Sequence, residues 1–399
     1  MKMAATPNTV YSRMQSIQTP IIPLIKELIK NNPGTIPLDQ GVVSYTPPDS
    51  AIEAIQDFLV HPQEHKYQAT IGIPKLLSGI QAKLQRDNQI DIGNDTCIVV
   101  TAGSNMGFLN AILAITNAGD DIILNTPYYF NHEMAIGMIN CHPIPVETDN
   151  NYYPQIDELR KAITPKTKAI VTISPNNPTG VVYDAPTLRE INKICQDAGI
   201  YHISDEAYEY FTYGKVNHTS PASFPGSTPH TISLFSLSKT YGFASWRIGY
   251  MVIPKKLLPS ILKIQDTNLI CPPVISQYAA LGALKTDKPY LSTHLSAISK
   301  VRESILQKLQ DLPENCHIAV PNGAFYFFIK VNSDLSDLDL AKQLVETYKV
   351  AVIPGQAFGM HQGCYLRISY GSLTLENASL GVDRLVKGIR ELTSSTKSA

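Results

Sequence analysis

Apolar residues along the chain fall into short runs of strand type separated by stretches with helical spacing. Ile21, Leu24, Ile25, Leu28 and Ile29 recur at the three- and four-residue intervals of an amphipathic helix, and Asn31, Asn32, Pro33 and Gly34 then end it. From about residue 95 the pattern alternates. Runs rich in β-branched residues at 97–100, 121–124, 169–173, 201–203, 231–235 and 248–253 predict buried strands, with helices at 106–115, 185–198 and 256–268 between them. Strands apolar on both faces that alternate with helices predict an α/β fold. Its large, mostly parallel sheet carries helices on both faces, and its ligand residues sit at the carboxyl ends of the strands.

Beyond residue 285 the order of elements changes. A long helix at about 290–309, strands near 325–331, 350–353 and 366–369, and a closing helix carrying Leu380, Leu385, Ile389 and Leu392 predict a small α+β domain. The polar stretch 394–399 is expected to fray. The expected division is an N-terminal segment, 1–49, packing with the small domain, a large domain, 50–285, and a small C-terminal domain, 286–399.

Composition narrows the function classes. With 33 basic and 34 acidic side chains the formal charge is −1, too balanced for a polyanion-binding surface, so nucleic acid is not an expected partner. A chain of 399 residues that is 44% hydrophobic and 17% charged builds one or two large cores, which excludes disorder as its main state. No run approaches about 18 uninterrupted apolar residues, and the first twenty residues lack an apolar signal core, so no membrane partner and a cytoplasmic location are expected. Cys97, Cys141, Cys195, Cys271, Cys316 and Cys364 lie far apart without a CxxC pair, and His132, His142, His202 and the other histidines are dispersed. Such cysteines read as buried small hydrophobes in a reducing compartment, and no metal site is expected.

Four motifs stand just after predicted strands. SLSKTYGFASWRIGY places Lys239 beside Ser236 and Ser238, with Arg247 eight residues on. A desolvated lysine can form a Schiff base with an aldehyde, and hydroxyls with a guanidinium suit a phosphate. In SDEAY, Asp205 stands at a strand mouth, where a carboxylate can hold a protonated pyridine nitrogen. SPNNPTG carries Asn177, and TAGSN takes the chain through Gly103 into a helix whose first N–H groups can bind phosphate. Each has an ordinary alternative: a solvated lysine, a helix cap, a turn, and a strand-to-helix turn without ligand. Their occurrence in one chain, each at a strand end, supplies every part of a pyridoxal phosphate site.

With these motifs and the arginine of YLRISYG, the sequence from about 67 to 371 resembles the class I/II, fold type I pyridoxal-phosphate-dependent aminotransferases. The resemblance implies pyridoxal 5'-phosphate as cofactor, with Lys239, Asp205 and Tyr208 as catalytic residues. It makes Lys239 the Schiff-base lysine, Arg247 the phosphate-binding arginine and Asp205 the partner of the pyridine nitrogen. Asn177 and Tyr208 become the hydrogen-bond partners of the ring's phenolic oxygen. Gly103, Ser104, Asn105, Ser236 and Ser238 align with the phosphate cradle, and Tyr129 with the ring stacked on the cofactor. Arg367 falls on the arginine that grips the substrate α-carboxylate, with Gly41 closing over the substrate. Tyr67 is implied to reach the phosphate of a neighbouring subunit in a homodimer with shared active sites.

What the family resemblance implies in chemistry is ping-pong transfer of an amino group from an amino acid to a 2-oxo acid. Carbon–sulfur β-elimination on the same fold is the alternative. The segment Gln40 to Pro48 departs from the commoner family patterns after its glycine. Aspartate-specific relatives carry an additional cation after the cofactor lysine or in the cradle turn, and neither is visible here. Val42, Tyr45, Tyr128 and Tyr129 are instead expected to face a neutral, aromatic, methionine-like or branched donor.

Overall fold

A short β-branched run that is apolar on both faces satisfies its backbone polar groups inside a covered sheet, and each of the six runs predicted in the first two thirds of the chain becomes such a strand. The computed structural model describes residues 13–286 and 288–394. Thr96–Thr101 (β1), Asp121–Thr126 (β2), His142–Glu147 (β3), Thr167–Ile173 (β4), Tyr201–Asp205 (β5), Thr231–Ser236 (β6) and Gly249–Pro254 (β7) form one seven-stranded sheet in the order β1-β7-β6-β5-β4-β2-β3. All neighbours are parallel except at β7, which runs antiparallel to β1 and β6. Side chains alternate between two buried faces. Ile122, Leu124, Ala169 and Val171 pack with Phe108, Ala111 and Ile112 of the helix Ser104–Ile115, while Ile123 and Ile170 pack with Ile191, Ile194 and Cys195 of the helix Ala185–Ala198.

Strand β3 was not foreseen. Its sequence HPIPVE holds two prolines and buries only Val146, which fits a strand at the sheet margin, where a missing N–H leaves no ladder bond unmade and discourages further pairing. The helix Val274–Leu284 also escaped the periodicity reading, because it is buried on nearly every side, from Ser276 and Gln277 to Gly282 and Ala283, and so lacks a polar stripe.

Cys316–Ile318 (β8), Tyr326–Val331 (β9), Ile353–Pro354 (β10) and Cys364–Ser369 (β11) form a second, antiparallel sheet in the order β10-β11-β9-β8. The single strand expected at 350–353 is two: Val350–Ala351 pairs in parallel with Ile36–Pro37, while Ile353 and Pro354 pair with β11. Helices Lys288–Lys308 and Leu375–Ser394 occupy the expected positions. The rest of the tail expected to fray, 395–399, lies outside the described residues.

The N-terminal segment is tied to this second unit. Leu38 N–H donates to Ala351 O at 2.9 Å, and Ser369 N–H to Leu38 O at 2.7 Å. Ile36 and Leu38 bury with Phe325, Phe327, Leu344 and Leu385, and Ile25 of the helix Ile21–Asn31 buries with Val345, Ala351 and Ile353. Residues 39–45 are thereby held near the carboxyl ends of the large sheet. Among the described residues no helix is long and apolar enough to cross a membrane.

Candidate active site

Because β4, β5 and β6 are parallel and in register, with Ile173 opposite Asp205 and Asp205 opposite Leu234, the segments that follow them emerge side by side. The turn between β1 and the helix Ser104–Ile115 opens at the same end, since Thr101 pairs with Gly249. They enclose a cavity of about 110 Å³ lined by Ser104, Asn105, Tyr129, Asn177, Asp205, Tyr208, Ser236, Ser238, Lys239 and Arg247, together with Ile173 and Ala207. Ten residues singled out from separate motifs thus share one wall.

One end of the cavity is built for an anion. Gly103, at φ +84°, caps the helix Ser104–Ile115 without a side-chain hydrogen bond, and Ser104 and Asn105 of its first turn line the cavity. A Cβ at Gly103 would lie 2.6 Å from Arg247 Nη2, so only glycine lets the guanidinium settle there. Arg247 itself holds φ +53° and donates from Nη1 to Ala244 O at 3.0 Å. Ser236 caps the short helix Leu237–Thr240 by accepting from Ser238 N–H at 3.2 Å, which places both hydroxyls and Lys239 on one turn.

At the other end lies Asp205, 4% exposed. Its Oδ1 accepts from Ala207 N–H at 3.1 Å, which caps a turn at 207–210 and not the helix that was its ordinary alternative. Oδ2 lies 3.1 Å from His132 Nε2, near enough for electrostatic contact but out of line for a hydrogen bond. Lys239 lies between these ends and donates from Nζ to Gly41 O at 2.5 Å. Its proton affinity is depressed to about 8, first by burial, then by the positive charges of Arg367 and Arg247, with Asp205 acting in the opposite sense.

Beside the cavity, Arg367 is buried and donates to Asn177 Oδ1 at 2.9 Å and to Asp39 O at 2.7 Å. Its guanidinium carbon lies 4.6 Å from the Tyr326 ring centre and 5.1 Å from that of Phe358, while Nε has no hydrogen-bond partner among the described residues. A cavity walled by a buried amine, an anion cradle and a carboxylate, with a buried guanidinium alongside, suits a phosphorylated ring and a carboxylate-bearing substrate.

The sequence profile described as aminotransferase class I and II matches residues 33–385. The chain belongs to the class I and II aminotransferases. It is 32% identical to aromatic aminotransferase ISS1 of Arabidopsis thaliana, over 94% of each chain. It is 33% identical to a probable aspartate/prephenate aminotransferase of Aquifex aeolicus, over 92% of each. The solved aromatic aminotransferase of Pyrococcus horikoshii OT3 superposes with a TM-score of 0.84 at 29% identity, covering 92% of this chain and 99% of that one. The fold is accordingly fold type I.

Not every residue expected at the site of this aminotransferase is there. Tyr128 does not face the cavity. It turns into the core under the sheet, against Gly359, where an added Cβ would lie 2.5 Å from its ring. Tyr45 spends its hydroxyl on Lys239 O at 2.7 Å and stacks on His294 at 4.0 Å, so it clamps the backbone of the lysine turn. Val42 is half-buried and outside the lining, whereas Tyr129 lines the cavity as expected. Tyr67 is 79% exposed and belongs to no part of this chain's cavity.

Three residues at the site of the aminotransferase were missed. His132, buried and stacked at 3.9 Å on Phe108, stands three residues after Tyr129, a helical spacing that could have drawn attention to it. Asp39 is fully buried, has no partner for either carboxylate oxygen among the described residues, and is held by burial above the usual carboxylate range. Tyr326 meets Tyr208, 118 residues away in sequence, and no local pattern announces that contact.

The depressed affinity of Lys239 predicts a pH-dependent stability. Native Lys239 releases its proton near pH 8 and the unfolded chain near 10.5, so between these values the unfolded state binds more protons and stability rises with pH. In cofactor-free protein, Lys239→Met removes the buried charge. Urea unfolding is expected to show the variant favoured over wild type by on the order of 2 kcal/mol more at pH 7 than at pH 10. A gap independent of pH would refute the desolvated amine.

Proposed function

We propose that this aminotransferase uses pyridoxal 5'-phosphate to move an amino group from a neutral amino acid to a 2-oxo acid, as a cytoplasmic homodimer. The observation that carries the reading is the sharing of one cavity by Lys239, Asp205 and Arg247, with Arg367 bonded to Asn177 at its margin. We take 50–285 as the cofactor-holding domain, and 286–399 with the N-terminal segment 1–49 as the smaller unit that carries Arg367.

Residues present fit the cofactor. Arg247, Ser104, Asn105, Ser236, Ser238 and the helix start after Gly103 would hold its phosphate; Asp205 would hold its ring nitrogen, Asn177 and Tyr208 its ring oxygen, and Tyr129 its ring face. When bound, pyridoxal phosphate supplies an aldehyde for the amino group and a protonated ring that draws electrons from the substrate's Cα. Lys239 would hold that aldehyde and, once released from it, take the Cα proton as a base. Its affinity near 8 leaves part of the amine unprotonated at neutral pH, as proton abstraction requires. Arg367 would fix the substrate α-carboxylate through two parallel hydrogen bonds.

The relatives named above are aminotransferases, which favours transamination over carbon–sulfur elimination. Their names divide between aromatic and aspartate substrates. Residues 248–301 contain no arginine, and the cradle turn reads Gly103-Ser104-Asn105 without a lysine. An unpaired distal carboxylate would therefore face desolvation costing roughly several kcal/mol. Exposed Tyr67, with exposed Leu59, Val60 and Ile275 on helix ends nearby in sequence or packing, offers the apolar surface that a second subunit would cover.

The central test is borohydride reduction of enzyme loaded with pyridoxal phosphate, followed by peptide mapping. The pyridoxyl group is expected on Lys239, and an adduct on any other lysine overturns the site. For the donor, kcat/KM measured for phenylalanine, methionine, leucine and aspartate with one common acceptor should favour a neutral amino acid by about tenfold or more, the effect of roughly 1.4 kcal/mol; a preference for aspartate refutes the pocket reading. For the dimer, mixing inactive Lys239→Ala and Tyr67→Ala proteins should regenerate activity through hybrid dimers. A fully active monomer in sedimentation ends that idea.

A further inference from the structure

Tyr326 opens β9 and is 1% exposed, yet its hydroxyl lies 2.6 Å from the hydroxyl of Tyr208, with the two rings edge to face at 5.5 Å. Two other parts of the site bear on it. The Arg367 guanidinium covers its ring, and Gly41 approaches so closely that an added Cβ would lie 2.5 Å from Tyr326 Oη.

A tyrosine hydroxyl has one proton to give and can also accept. Either member of this pair can donate while the pair stands alone. An acceptor placed against Tyr208 fixes the order, because the Tyr208 proton is then committed to it and only Tyr326 can donate between the two. We propose that Tyr326 is a positioning residue, whose hydroxyl donates to Tyr208 and thereby aims and strengthens the hydrogen bond that Tyr208 gives to the cofactor's ring oxygen. The inference rests on the cofactor reading given above. A donor that is itself receiving a hydrogen bond is polarised and binds an anionic oxygen more tightly. Through its ring the same residue contacts Arg367, and through its hydroxyl it depends on residue 41 being glycine. The carboxylate grip, the N-terminal segment and the ring-oxygen donor therefore meet at one side chain.

The readout is the pH titration of the absorbance of pyridoxal phosphate bound at Lys239. The proton that titrates sits on the nitrogen joining lysine to cofactor, and its loss leaves the ring oxygen's negative charge without a neighbouring positive one. Donation to that oxygen favours the deprotonated form, so weakening it raises the midpoint. Tyr326→Phe keeps the ring and its packing, and is expected to raise the midpoint by about 0.5 to 1 pH unit. In a Tyr208→Phe background the same substitution is expected to add no shift, since the hydroxyl acts only through Tyr208. A purely structural role would not produce that dependence. If Tyr326→Phe yields no folded protein, Gly41→Ala, which pushes on the Tyr326 hydroxyl, is titrated in the wild-type and Tyr208→Phe backgrounds, and a rise is expected in the first alone, because an effect through the Gly41 carbonyl on Lys239 would appear in both. An unmoved midpoint, or an equal shift in the Tyr208→Phe background, overturns the inference. Wild-type protein that forms no reducible adduct at Lys239 overturns the cofactor reading and the inference with it.

Discussion

Lys239, Arg247 and Arg367 are held close enough for each arginine to depress the proton affinity of the lysine, and Asp205 is the carboxylate that opposes them in the cavity wall. Like charges in a partly dry site repel, and a flexible chain would separate them. Here the three cations stand on three supports: the turn after β6, the approach to β7, and β11 of the second sheet. Arg367 is buried on its strand, and Arg247 is tied to its own turn by the bond to Ala244 O. Burial first, and this repulsion second, lower the proton affinity of the lysine, so the constraint on the fold and the chemistry of the site are linked.

Between the two sheets, the stretch from Leu38 to Tyr45 acts as a seam. Its carbonyls accept from Arg367 at Asp39, from Ser369 at Gln40 and from Lys239 at Gly41, while Tyr45 donates back to Lys239 O. These bonds cross between distant parts of the chain, and each uses a backbone group that extended, glycine-containing chain leaves free. A change in the charge or position of Lys239 is felt by the same segment that holds Arg367. Arg367 and Lys239 are thus linked through a few residues of irregular chain.

Behind Asp205 lies a second polar network. Glu206, fully buried, accepts from Ser220 and lies 2.8 Å from His218 Nε2; Asn88 links Ser220 to Glu209, which pairs with buried Lys83 at 2.5 Å. Glu206 N–H also donates to Leu234 O at 2.8 Å, which ties the turn after β5 to β6. Buried charges persist only when paired and hydrogen-bonded, and most of this set is, although Glu206 Oε1 and His218 Nδ1 have no partner among the described residues. The effect is to hold the backbone on which Asp205 stands.

Sequence alone determined what is local and repetitive. Buried strands announce themselves as apolar runs, and the motifs at their ends carry Lys239, Asp205, Asn177 and Arg247, since a parallel sheet delivers the residues after each strand to one edge. What the sequence could not announce depended on contacts between distant segments or on burial from every side. Whereas the edge strand β3 was hidden by its own two prolines, the helix Val274–Leu284, buried on nearly every side, and the pairing of Val350–Ala351 with Ile36–Pro37 are of this kind. So are the turning of Tyr128 into the core against Gly359, the use of the Tyr45 hydroxyl on Lys239 O, and the meeting of Tyr208 with Tyr326. For these three tyrosines the side chain's direction was set by partners more than a hundred residues away, and tertiary structure alone decides which of several chemically equivalent tyrosines points into a cavity.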